Sequence, residues 1–509
     1  MSTSFATILR DLAARRPDAP ALTCGDVTWT FRDLDTRSSQ TAQALIADGV
    51  RPGDRVGVLS RNCAEFYELI YACSKAGAIL VGLNWRLSSY EIEAIVADAA
   101  PTVIVTGASG EGDLLSQPVR GAKSLKRIVS IGDAYEAWRA GAPKADTGHA
   151  GAADDVAMLL YTSGTTGLPK GAMLTNRGMC YSRRLGEAWG MTADSVNLVA
   201  MPLFHIGGSG YGSSTMLLGG HTVLMKDVNL PLIATTIEQH KVTHAFFVPT
   251  VLQALIDVPG IEAMDLASMK LLMYGASPIS ETLLRNALQV LSCDFIQAYG
   301  MTETSGTVVT LEPVYHRLDG TSTERLRSCG RALPFAEIRI TNTVTGNEVP
   351  RGDVGEIWVR SEMVMKGYWN NQRATEEAIT KDGWLRTGDA AYQDADGFIY
   401  LYDRYKDLII SGGENIYPAE VENALLAHPG VSECAVIGIP HPRWGETPRA
   451  IVVPRAGHAP TEAELIAFAR TRLAHYKCPT SVVLAETLPR NASGKLLKRE
   501  LRKVYMPPG

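Results

Sequence analysis

Short β-branched runs alternate with amphipathic helical stretches through the first two-thirds of the chain, and this alternation restricts the fold more than any other feature. Arg55 to Leu59 reads as a strand. Ser88 to Ala99 reads as a helix: Ser88 and Glu91 have capping-box spacing, and Ile92, Ile95, Val96 and Ala99 recur on one face. Thr102 to Val105 returns to strand. Ser280 to Leu291 is a second helix, with Leu284, Ala287, Leu288 and Leu291 inward, and Phe295 to Ala298 is the strand after it. Such order predicts an α/β fold of parallel, helix-covered sheets, with ligands beyond the carboxyl ends of the strands.

With 509 residues, the chain exceeds one compact core, so a large domain and at least one smaller unit are expected. Gly141 to Asp155 is a loop rich in Gly, Ala and Asp that leads into the strand Val156 to Tyr161. From about Asp319 to Tyr402 strands dominate, which predicts a β-rich subdomain. Past Tyr402 the pattern becomes α+β. Helix Pro418 to Ala427 opens on Pro, strand Glu433 to Ile439 follows, then helix Thr461 to Leu473 with a Thr461–Glu464 capping box, then strand Ser481 to Leu484.

Net charge is -5 without a basic stripe, which disfavours a nucleic-acid partner. The eight cysteines form no Cys-x-x-Cys pair, so zinc is not expected and reduced thiols are. Met1 to Leu22 carries charges at Arg10, Asp11, Arg15, Arg16 and Asp18 and reads as an amphipathic helix, not a signal peptide. No stretch approaches the ~20 apolar residues of a membrane span. A soluble cytoplasmic protein is expected; peripheral membrane contact and a homo-oligomer stay open.

The segment YTSGTTGLPKGAM, Tyr161 to Met173, gathers Thr162, Ser163, Thr165 and Thr166, the glycines 164, 167 and 171, and the cation Lys170. Glycines let backbone N–H groups approach phosphate oxygens, and hydroxyls add donors. No Gly precedes Lys170 directly and no Ser or Thr follows it, so this is not a P-loop. The string resembles the signature loop of the adenylate-forming superfamily: acyl-CoA synthetases, aryl-CoA ligases, firefly-type luciferases and peptide-synthetase adenylation domains.

The resemblance extends along nearly the whole chain and implies a function for each segment. It implies a large N-terminal domain, residues 1–403, a hinge at 404–407 and a small mobile lid, 408–509. Thr162, Ser163, Gly164, Thr165, Thr166 and Gly167 would cradle ATP phosphates together with Lys170. YGAS, Tyr274 to Ser277, would line the adenine pocket through Gly275, Ala276 and Ser277. YGMTE, Tyr299 to Glu303, would touch the adenylate through Tyr299, Gly300, Met301 and Thr302, while Glu303 and Thr165 would hold Mg²⁺ through hard oxygens. Asp389 of WLRTGD would bind both ribose hydroxyls, Arg404 of DRYKD would contact the ribose, and Lys406 would be the pivot. His205 of MPLFHIGG would gate the acyl site. Lys495, ending PRNASGK, would bridge the acid and the α-phosphate. Ser411, Gly412 and Gly413 of ISGGENIYP would border the pantetheine tunnel.

The resemblance therefore implies acyl-AMP formation from ATP and a carboxylic acid, then transfer to coenzyme A. Family members specific for α-amino acids place an Asp near the His205 segment, and malonate-type members an Arg beside YGMTE; here those places hold Ile206 to Gly208 and Gln297–Ala298, which disfavours both substrates. Gly207, Gly208, Ser209, Gly210 and Gly212, beside Phe246, Phe247, Val248 and Tyr274, suggest a roomy apolar cavity. A medium- or long-chain fatty acid or a bulky polycyclic acid is expected, with a cinnamate-like aryl acid second. Loading of a carrier protein, a luciferase-like oxygenase and a non-catalytic binding module are the competing classes.

Overall fold

A computed structural model describes residues 4–162, 169–277, 279, 281–317, 324–404, 407–411, 414–490 and 496–506, and within these not the side chains of 403, 404, 414 and 415. The described strands form four sheets. The nine-stranded sheet runs Arg331–Ala332, Gly306–Leu311, Asp294–Met301, Leu271–Gly275, His244–Phe247, Val196–Val199, His221–Leu224, Pro20–Cys24, Val27–Thr30. The six-stranded sheet runs Arg127–Ser130, Val103–Thr106, Arg55–Leu59, Ile79–Leu83, Val156–Thr162, Lys170–Thr175.

Both large sheets are parallel in the middle, as expected; the nine-stranded sheet turns antiparallel toward both edges and the six-stranded one at Lys170–Thr175. The reason is connection length. Val156–Thr162 and Lys170–Thr175 are joined by a few residues, and only an antiparallel hairpin closes so short a link. The central strands are joined through helices, and their residues are buried on both faces, as in Ile79–Leu83.

The β-rich subdomain is a four-stranded antiparallel sheet, Ala336–Thr341, Gly355–Ser361, Leu385–Gln393 and Ile399–Arg404. The smaller C-terminal domain has a five-stranded sheet with its own core of Ile409, Ile416, Val421, Leu425, Val436 and Val452. Local chemistry fixes its helices: Thr461 caps Glu462–Arg470 and exchanges hydrogen bonds with Glu464, and Pro418 opens Pro418–Leu426. Among the described residues no helix is long and apolar enough to cross a membrane.

Loop 141–155 is pinned by charge. Asp146 accepts from Arg10 at 2.7 Å and lies 3.4 Å from the fully buried Lys75, whose Nζ also meets Asp35 at 2.6 Å. Backbone and side-chain donors, Arg10 first among them, outweigh desolvation and hold the Asp146 carboxyl down at about 2.

Candidate active site

Several central strands of the nine-stranded sheet end side by side, and the candidate residues follow those ends. Val199 leads to His205, Phe247 closes its strand beside Tyr274, and Gly275 pairs with Ala298, just before Tyr299. The six-stranded sheet contributes the hairpin in which Thr162 faces Lys170 and Tyr161 faces Gly171. Of the signature loop, Ser163, Gly164, Thr165, Thr166 and Gly167 lie outside the described residues. So do Lys406, Gly412, Gly413, Lys495 and the side chain of Arg404.

Glu303 brings the two sheets together. It follows the strand Asp294–Met301 in a short helical turn held by Thr304, whose hydroxyl accepts from the Met301 N–H at 3.0 Å. Its Oε1 accepts from the Thr162 hydroxyl at 3.4 Å and from the Tyr368 hydroxyl at 2.9 Å. The residue is only 6% exposed. Among the described residues its Oε2 takes no hydrogen bond and the carboxylate has no ion pair. Burying a carboxylate without a cation is costly, so this site fits a divalent metal ion bound through oxygen.

Lys170 sits beside it, Nζ 5.3 Å from the centre of the Tyr368 ring, and makes no ion pair among the described residues. Tyr368 carries no signal in its neighbouring sequence; only the pairing of Met365–Asn370 with the hairpin brings it here. Met173 N–H donates to the Gly367 carbonyl at 2.9 Å, and Trp369 N–H to the Gly171 carbonyl at 2.8 Å.

A second cluster lies where the β-rich sheet meets the large one. The Tyr299 hydroxyl donates to Asp389 at 2.8 Å, and burial, helped by that carboxylate, pushes the phenol well up. Asp389 takes part in the last rung with Arg404 in the pairing of Leu385–Gln393 with Ile399–Arg404. Thr387 Oγ1 accepts from the Asp389 N–H at 3.1 Å. Glu356, missed in the sequence, accepts from the Gly388 N–H at 2.8 Å and from the Trp358 indole at 2.8 Å, so the turn before Asp389 is built on a buried carboxylate.

The YGAS segment ends its strand tightly. A Cβ on Gly275 would overlap the Ala298 carbonyl oxygen of the next strand. Ala276, exposed, has φ 64°, a left-handed backbone that costs a non-glycine residue about 1–3 kcal/mol. Ser277 is half-buried beside it, as are Gly300, Met301 and Thr302 after the neighbouring strand. Ser411 lies elsewhere, in the small domain, paired with Glu414 and Gly445.

His205 is the N-cap of the helix Ile206–Leu217. Its Nε2 is buried with no hydrogen-bond partner among the described residues, and burial, with a smaller contribution from Arg86, lowers the imidazole to about 4. The ring is therefore neutral at neutral pH, and its free nitrogen awaits a partner.

The expectation of a roomy cavity along the glycine run is corrected here. A Cβ at Gly208 would overlap the Pro202 carbonyl oxygen, and one at Gly212 the Tyr67 hydroxyl. These glycines let protein approach protein. Phe247 and Tyr274 also point away: both pack in the core cluster with Phe295 and Leu284, and the Tyr274 hydroxyl is hydrogen-bonded to His316 Nε2 at 2.9 Å. A Cβ at Gly207 would instead meet the Phe246 ring at 3.2 Å; Tyr211 lies 5.5 Å from that ring and 6.2 Å from Trp189. Gly212→Ala is expected to lower unfolding free energy by about 1–3 kcal/mol in urea titrations, with partial recovery in a Tyr67→Phe background. Unchanged stability would contradict the close contact.

The AMP-binding enzyme family model matches residues 9–369, and that of the AMP-binding enzyme C-terminal domain matches residues 420–495. The feruloyl-CoA synthase of Amycolatopsis sp is 39% identical over 97% of each chain. The fatty acid–acyl-carrier-protein ligase ScoC of Streptomyces coeruleorubidus is 36% identical over 96% of this chain and 94% of its own. ATP-bound MatB from Rhodopseudomonas palustris has the same fold, with a TM-score of 0.91 at 30% identity over 99% of both chains.

Proposed function

Because the chain belongs to the AMP-binding enzyme family, and is thereby an ATP-dependent, AMP-forming acid–thiol ligase of the acyl/aryl-CoA type, we propose that it joins a bulky apolar carboxylic acid to coenzyme A by way of its acyl-AMP. The observation that carries the proposal is Glu303: a buried carboxylate, met by Thr162 and standing near Lys170, with no cationic partner among the described residues.

In the first step an oxygen of the acid attacks the α-phosphorus of ATP, a new P–O bond forms and pyrophosphate leaves. Lys170 and the loop hydroxyls hold the phosphates, Asp389 and Arg404 hold the ribose, and Gly275, Ala276 and Ser277 hold the base. Lys495 places an ammonium between the two anions that must meet. Glu303 and Thr165 would hold Mg²⁺, which supplies neutralising charge to the triphosphate when bound. In the second step the thiol of coenzyme A attacks the acyl carbon and AMP leaves. Residues 408–509 act as a lid that turns about Lys406 in the hinge 404–407, withdrawing Lys495 and presenting Ser411, Gly412 and Gly413.

His205 guards the acid's entry, with its unpartnered Nε2 ready to accept or donate as the carboxylate arrives. A medium- or long-chain fatty acid remains the first reading of the acid. The Phe246 ring beside Gly207, backed by Tyr211 and Trp189, favours a second, a flat cinnamate-like acid, because an aromatic wall suits offset stacking. The two relatives bear names from these same two classes, a fatty acid and a feruloyl group. Pyrophosphate release with dodecanoate, ferulate, benzoate and acetate, followed by product analysis with coenzyme A, tests the proposal. Turnover of dodecanoate or ferulate well above acetate and benzoate is expected. A clear preference for acetate would overturn the bulky acid, and product formation only on a carrier protein would overturn coenzyme A as acceptor.

A further inference from the structure

One short segment touches both charged groups of the phosphate site. Met365–Asn370 runs antiparallel along the outer edge of Lys170–Thr175 like a strap. Its backbone is fastened on both sides: Lys366 N–H donates to Met173 O at 2.9 Å, Trp369 N–H to Gly171 O at 2.8 Å, and Met365 N–H to Glu303 O at 2.8 Å. The Tyr368 N–H donates to Thr375 Oγ1 at 2.9 Å, and its residue forms a bridge with Ala172. The far end is anchored as well. The Trp369 indole and the Asn370 amide donate to the Asp98 carbonyl at 3.2 and 3.1 Å, and the same Asp98 accepts from Tyr161 at 2.6 Å, the residue that opens the signature loop.

The Tyr368 side chain is thus held from both ends and has two polar tasks. Its hydroxyl donates to Glu303 Oε1 at 2.9 Å, and the face of its ring lies 5.3 Å from the Lys170 ammonium. We propose that Tyr368 is a positioning residue that sets the Glu303 carboxylate and the Lys170 ammonium at a fixed separation for a metal-bound triphosphate. The phenol occupies Oε1, which turns Oε2 toward the incoming cation. A hydrogen bond to a ligating carboxylate fixes its orientation, and losing such a partner typically costs 10–100-fold in metal affinity. The ring face attracts the ammonium by its quadrupole and limits where Lys170 can swing. The proposal rests on the reading of Glu303 as the metal ligand.

The test uses the full chain without turnover. Mn²⁺ is titrated against a non-hydrolysable ATP analogue and bound metal is read by electron paramagnetic resonance; analogue binding is measured separately in EDTA. Tyr368→Phe keeps the ring and removes the hydroxyl. It is expected to weaken Mn²⁺ by about 10-fold and leave metal-free analogue binding unchanged. Tyr368→Leu is expected to weaken both. Unchanged Mn²⁺ binding in Tyr368→Phe, with weakened binding in Glu303→Gln, would overturn the positioning role and leave the metal site standing. Unchanged binding in Glu303→Gln would remove the metal assignment and the proposal with it. An equal loss of metal and metal-free nucleotide binding in Tyr368→Phe would mean a disturbed loop, and would also overturn it.

Discussion

Replacing Lys495 with alanine is expected to slow adenylate formation by ~10²–10³ while leaving thioester formation from a supplied acyl-AMP close to its original rate. The acid and the α-phosphate are both anions, and their approach is opposed until a cation stands between them. The second half-reaction has no such meeting of anions, because the acyl carbon of the mixed anhydride is attacked by a thiol. Pyrophosphate exchange reads the first step, and AMP release from synthetic acyl-AMP with coenzyme A reads the second. Equal losses in both would sink the division of labour between two lid positions.

Asp389→Ala is the second large effect. A carboxylate that accepts two ribose hydroxyls makes charge-assisted hydrogen bonds of about 1.5–3 kcal/mol each, so KM for ATP should rise by about 10²-fold or more, with KM for the acid unchanged. The variant also strands the Tyr299 hydroxyl, which donates to this carboxylate at 2.8 Å. Tyr299→Phe therefore serves as the control: it removes the orienting bond alone and should raise KM for ATP only several-fold. An Asp389→Ala enzyme with its original KM for ATP would rule out ribose binding at this position.

The elements were legible where one residue type settles a local conformation. Ser88 and Glu91 close a capping box at the start of Ser89–Ala99, and Thr461 and Glu464 do the same for Glu462–Arg470. The strands Arg55–Leu59 and Ser481–Leu484 have the predicted bounds. Glu303, Thr162, Tyr299 and Asp389 stand out in the sequence because they belong to compact motifs, and the structure hydrogen-bonds them in two pairs. Tyr368 and Glu356 do not stand out. Each acts through a hydrogen bond to a segment distant in the chain, and neither periodicity nor spacing encodes such a meeting. The glycine run misled for another reason: a missing side chain can make room for a ligand or let protein come close, and only the positions of Pro202 and Tyr67 distinguish the two.

That helix also bears on how readily the enzyme could evolve a new preference. Ile206–Leu217 has one rail committed to the interior at Gly208 and Gly212, and another at Gly207 and Tyr211 that borders Phe246. Side chains added along the first rail are expected to cost stability, whatever acid is offered. Variation along the second alters the wall an acid would meet while the scaffold stays intact. A change of acid preference is therefore expected from substitutions at Gly207 and Tyr211, and not from substitutions at Gly208 and Gly212.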